Sequence, residues 1–163
     1  MKYAAILMIL VLIVSLAGVG YLYMTANVTI EVYSVAATEA SVQPELFASL
    51  ARQVEEGAVI GACFTDERLG DASSYQFLTY TVRVKNNCFL PADMVEVQVT
   101  PMTGDALQIG APTAYALPAR SVGDIQATIL TDISMHSIRE VVVTYYIWGL
   151  PFSLKTTSGA AEL

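Results

Sequence analysis

The sequence predicts a mainly β chain: a single N-terminal transmembrane helix, then an antiparallel β-sandwich of seven or eight strands with one inserted amphipathic helix. Three observations predict it. An uncharged apolar run occupies Ala4 to Met24. After it, short segments alternating with period two follow one another to the C-terminus, separated by turn residues. One segment alone, Pro44 to Glu56, changes to a helical period.

Composition narrows the function classes. The 163 residues hold 15 acids, 8 bases and one histidine, a formal net charge of -7, and 55% are hydrophobic. That length suits one domain of ordinary size. The apolar content excludes intrinsic disorder, and the negative balance argues against a nucleic-acid partner. A polytopic membrane protein is excluded because no second apolar stretch matches the first.

Within Ala4 to Met24 only Ser15, Gly18 and Gly20 fall outside the hydrophobic set. Coiled as a helix, this run rises about 31 Å, the thickness of a hydrocarbon core. Tyr21 and Tyr23 stand at its far end, where amphipathic rings favour the headgroup region. Ser15-Leu16-Ala17 could serve as a signal-cleavage site. The apolar run continues well past it, which favours an uncleaved signal anchor with the lipid bilayer as the partner of residues 4–24. Lys2 precedes the run and the first base after it is Arg52, so the positive-inside rule leaves residues 1–3 in the cytoplasm. Residues 25–157 then form the extracytoplasmic domain, and 158–163 a disordered tail. The exported part keeps every acid and all bases but Lys2, and its negative charge predicts a domain standing off an anionic membrane surface.

Val28, Ile30 and Val32 alternate with polar residues, the pattern of a half-buried strand, and almost no linker separates them from the span. In Pro44 to Glu56, Leu46, Phe47, Leu50, Ala51 and Val54 share one arc, while Glu45, Ser49, Arg52, Glu55 and Glu56 share the other. Pro44 suits a first turn, Ser41 lies near the start and Gly57 ends the pattern. The apolar face (Leu46, Phe47, Leu50, Val54) can pack on the domain's own sheet or face a partner, and stripes of this kind commonly face a core. Further strands are predicted around Ala58–Phe64, Tyr80–Lys85, Met94–Thr100, Ala106–Ile109, Ile125–Leu130, Glu140–Trp148 and Phe152–Thr157. Both faces of the Glu140 segment are apolar or aromatic, so it is expected to be central.

The inventory for catalysis is thin. A Ser-His-Asp set can be written from Ser134, His136 and Asp132, but these lie in one turn-like stretch without a nucleophile elbow. Asp66, Glu67 and Asp71 share a loop whose spacing does not fit a calcium loop, and one histidine with two distant cysteines gives no zinc spacing. No catalytic residue, cofactor or metal is expected. Cys63 and Cys88 could form a disulfide, as a pair of cysteines in an exported domain suggests, or remain two buried thiols.

Val82-Arg83-Val84-Lys85-Asn86, the valine-alternating Met94 to Thr100, the Gly104-Asp105 turn and Leu117-Pro118-Ala119 before Ile125 to Leu130 form a series. In these elements residues 80–131 resemble the water-stress and hypersensitive-response domain of type 2 late-embryogenesis-abundant proteins. That family's asparagine is normally followed by proline, where Asn87-Cys88 stands here. The resemblance implies an immunoglobulin-like sandwich and a non-enzymatic protein. The sequence thus predicts a non-catalytic interaction or structural subunit of the cell envelope, held in the cell membrane and meeting an envelope protein partner. The alternative is a ligand-binding or stress-protective domain of the late-embryogenesis kind, taking lipid or other apolar molecules in a cleft between its sheets. A large apolar cavity there would favour the alternative.

Overall fold

A computed structural model describes residues 2–25, 27–65, 67–110 and 115–158. Helix α1 (Lys2–Met24) is followed by β1 (Val28–Glu39), a 3-10 turn (Ala40–Val42) and helix α2 (Pro44–Glu56). Then come β2 (Gly61–Cys63), β3 (Tyr75–Asn86), β4 (Ala92–Val99), β5 (Asp105–Ile109), β6 (Tyr115–Leu117), β7 (Val122–Asp132), β8 (Arg139–Ile147) and β9 (Leu150–Ser158). The strands make two antiparallel sheets, ordered β1-β3-β7-β5-β2 and β6-β4-β8-β9. Without the short β2 and β6, this is the A-B-E-D and C-F-G arrangement of a constant-type immunoglobulin sandwich. The nine described strands exceed the expected count by β6, which is only three residues long and lies outside every expected strand.

The core follows from alternation. Leu78, Tyr80, Val82 and Val84 of β3 are almost completely buried, as are Val95, Val97 and Val99 of β4 and Val141 and Val143 of β8. Together with Ile125, Ala127 and Ile129 of β7 they fill the space between the sheets. Strand β8 is interior to its sheet, as its apolar faces predict. In β1 the expected parity breaks. A bulge between Ile30 and Val32 adds one residue, so Tyr33 pairs Val82, Val35 pairs Tyr80, and both pack on the core.

Helix α2 has the predicted bounds, with Gly57 in the left-handed region (φ 65°) and its N–H bonded to the last turn. The residue before the helix is Gln43, not Ser41, and it makes no side-chain cap. Phe47 and Leu50 are buried against Phe77, Leu107 and Leu130. Phe77 pairs Leu130, one residue out of phase with the inward-facing Leu78 and Ile129, so this second core lies on the outer face of the five-stranded sheet. Val54 is partly buried there, whereas Leu46 is 38% exposed. Of the two destinations open to this face, the domain's own sheet takes most of it, and only Leu46 is left to a partner.

At the end remote from α1 the two sheets are tied by a fully buried ion pair. Arg139, which opens β8, gives two hydrogen bonds to Asp105, which opens β5, at 2.9 and 3.3 Å. Its remaining donors reach the carbonyls of His136 and Ile138, and Asp105 also accepts the Met102 N–H. Asn86 is the counterpart at the end nearest α1. This buried amide donates to the carbonyls of Leu90, Leu117 and Pro118, and accepts the Cys88 N–H. It holds the β3–β4 and β6–β7 loops together.

Candidate functional site

The two outer faces differ. On the five-stranded sheet, α2 covers one half. The other half is a polar ladder of cross-strand pairs: Thr79 with Thr128, Thr81 with Gln126, and Arg83 with Asp124. Arg83 meets Asp124 in a two-pronged ion pair at 2.7 and 2.8 Å. These hydrogen bonds hold the Asp124 carboxyl below the usual carboxylate range and raise the Arg83 guanidinium. Lys85 pairs with Glu31 on the same face. Such pairs satisfy one another and leave little to recruit a ligand.

On the four-stranded sheet no helix among the described residues covers the outer face. Glu96 and Gln98 of β4, Thr144 and Tyr146 of β8 and Ser153 of β9 line a groove of about 660 Å³. Met94 and Ile60 stand on its walls, 59% and 70% exposed. Two backbone features shape it. Met94 occupies a β-bulge with φ 50°, which turns its side chain out of the ladder. Gly61 has φ 132°, and a Cβ there would collide with the Gln108 carbonyl, so only glycine lets β2 cross so close to β5. Gln108 closes the neighbouring edge: its side-chain amide accepts the Val99 N–H and donates to the Val97 carbonyl, standing in for a strand beside β4. Among the described residues no strand pairs the outer edge of β9.

The residues singled out in the sequence do not gather here. Cys63 and Cys88 are both free, so the expected disulfide is corrected. Cys63 pairs Leu107 on β2 and so lies level with Phe77 across β5 and β7, whereas Cys88 follows the opposite end of β3. Three strand spacings separate them by about 14 Å, and the length of β3 by roughly 30 Å more. The thiol of Cys88 is buried and lies 3.0 Å from the Asn27 N–H, tying the start of β1 to the β3–β4 loop. The Cys63 thiol is oriented toward the Thr65 carbonyl.

Asp132 accepts both the Ser134 hydroxyl at 2.6 Å and the Ser134 N–H at 2.8 Å, which lowers its carboxyl below the usual range. The serine thus serves a turn, and His136 is exposed beside it. In the acidic loop, Arg68 reaches Glu55 of α2, and Asp66 lies outside the described residues. Among the described residues no group of three or more His, Cys, Asp or Glu side chains is placed to hold a metal ion. Burial raises the hydroxyls of Tyr80 and Tyr145 above the ordinary tyrosine range, and Tyr80 donates to the Ser137 carbonyl.

At the other end of the molecule, Tyr3–Met24 has a mean hydropathy of 2.7, with none of its most apolar window buried by protein. It is long and apolar enough to cross a membrane. Its last turns meet the sandwich at Leu90, Ile147, Trp148, Leu150 and Phe152, with the Tyr23 and Phe152 rings 5.6 Å apart.

Fold and surface together define an immunoglobulin-like β-sandwich attached to an apolar helix. No family model and no curated protein matches the sequence. Among solved structures it is similar to the GAE domain of yeast GGA1, at 15% identity and a TM-score of 0.35. That match covers 55% of this chain and 94% of the yeast domain.

Proposed function

We propose that this chain is a single-pass membrane protein presenting an immunoglobulin-like sandwich on the extracytoplasmic side as a non-catalytic interaction or structural module of the envelope. One observation carries the reading: an apolar helix of 22 residues, its most apolar window bare of protein cover, runs into the first strand across only residues 25–27. Burying such a surface in lipid is favourable by about 25 cal/mol per Å², and nothing in the described fold covers it. Lys2 before the span, against Arg52 as the first base after it, supports a cytoplasmic N-terminus. The groove over β4, β8 and β9 is the surface best suited to an extended segment of an envelope protein. It offers apolar walls in Met94 and Ile60 and a polar floor in Gln98, Thr144 and Ser153. An apolar ligand held between the sheets finds no comparable room, since that space is filled by side chains of both.

Two measurements test the reading. Protease added outside intact cells should cleave the sandwich and spare a tag placed ahead of Lys2. The reverse pattern would overturn the orientation. A photo-crosslinking residue at Tyr146, in the groove, should capture an envelope protein that the same residue at Lys85, on the opposite sheet, does not. Equal capture from both positions would remove the groove as the partner site.

A further inference from the structure

Three loops surround the exit of α1. They are the β3–β4 loop at Cys88–Leu90, the β6–β7 loop at Pro118–Ser121 and the β8–β9 turn at Trp148–Gly149. The register places them at one end: Val28 pairs Asn86, Lys85 pairs Val122, Ala92 pairs Leu117 and Ile147 pairs Leu150. Their tips carry Phe89 at 64% and Trp148 at 65% exposure, and Leu150, which opens β9 beside them, is 45% exposed. The Arg120 guanidinium lies 4.1 Å over the Phe89 ring. None of the chain's 15 acids falls in these three loops.

The backbone singles out the same residues. Trp148 and Gly149 both have positive φ, 56° and 77°, as the two central positions of a type I′ hairpin turn require. Asparagine or glycine is favoured at the first of these, and a bulky ring there is a costly exception. Arg120 is held at φ 57° in its own loop. Among the described residues, two of the three non-glycines with positive φ thus stand at this end with their side chains exposed or stacked outward. Trp148 also lines a cleft with Val19, Leu22 and Tyr23 of α1. That contact sets the indole level with the last turns of the span, where Trp, Tyr and Arg favour the headgroup region.

We infer that this end of the sandwich is a lipid seat: Trp148 and Phe89 enter the bilayer interface beside α1, Arg120 meets lipid phosphates, and the domain's tilt is thereby fixed. The inference rests on the membrane-anchored reading and adds to it a second, peripheral contact with lipid. It also revises the expected stand-off, because the negative charge of the domain is carried away from the face that meets the membrane.

Trp148 is the only tryptophan, so intrinsic fluorescence reports this site alone. The full chain is reconstituted at high dilution in phosphatidylcholine–phosphatidylglycerol vesicles, and flotation establishes anchoring separately. In the floated fraction, spin labels near the headgroup should remove more than about half of the emission, while aqueous iodide removes little. Phe89→Ser should weaken the lipid quenching without changing flotation. Floated protein whose tryptophan is quenched by iodide and not by lipid would overturn the seat and leave the anchor standing. Protein that does not float would overturn both. Shielding from both quenchers, or shielding that grows with protein density, would assign the patch to protein or to a second copy and overturn the lipid seat.

Discussion

Arg139 and Asp105 show what a single pair contributes when both side chains are fully buried. The guanidinium has carbonyl partners besides the carboxylate, and the carboxylate has the Met102 N–H, so each charge is compensated. Removing one partner strands the other in low dielectric. Arg139→Met should therefore cost about 3–5 kcal/mol in urea unfolding. The double variant with Asp105→Asn should recover part of that, because it removes the stranded charge and keeps an acceptor for Met102. A silent Arg139→Met would mean that water reaches the pair. Nothing in the sequence marks this pair, because Asp105 sits in a turn and Arg139 at a strand end, where charges are normally solvated. The cysteines illustrate the converse: counting them suggested a bond, whereas pairing depends on register, which brings Cys63 and Cys88 to opposite corners.

Among the elements, α2 was the most legible. Its bounds follow from Pro44, Gly57 and a clean division of faces. Its destination was not, since the same stripe could serve a sheet or a partner. The structure divides it: Phe47 is 7% exposed with its ring tilted against Tyr75, whereas Leu46 is 38% exposed. Phe47→Ala should cost about 3–5 kcal/mol in thermal or chemical unfolding. Leu46→Ala should stay within about 0.5–1 kcal/mol, as surface changes usually do. Equal and small effects from both would show that the helix is not docked on the sheet. Strand β1 was half legible. Its alternation is right up to Ile30, and the bulge that follows changes which residues face inward. One inserted residue leaves no mark in a hydrophobicity pattern. Strand β6 escaped because three residues cannot establish a period, whereas β2 falls inside the strand expected at Ala58–Phe64 and is shorter than it.

For the whole molecule, the fold class and the apolar span were legible in the sequence, while the two surfaces proposed to act were not. The groove depends on Met94 being turned outward by a bulge and on a glycine crossing at Gly61, neither of which has a sequence period. The lipid seat depends on three loops distant in sequence meeting at one end. A net charge, being an average, pointed away from the membrane for a domain whose membrane-facing tips carry no acid. Both proposals presuppose that α1 stays attached. The intact mass of protein extracted from membranes tests this most directly. A single species that retains Ala4 to Met24 is expected. A mature chain beginning at Gly18 would contradict it, leaving a sandwich released from the membrane.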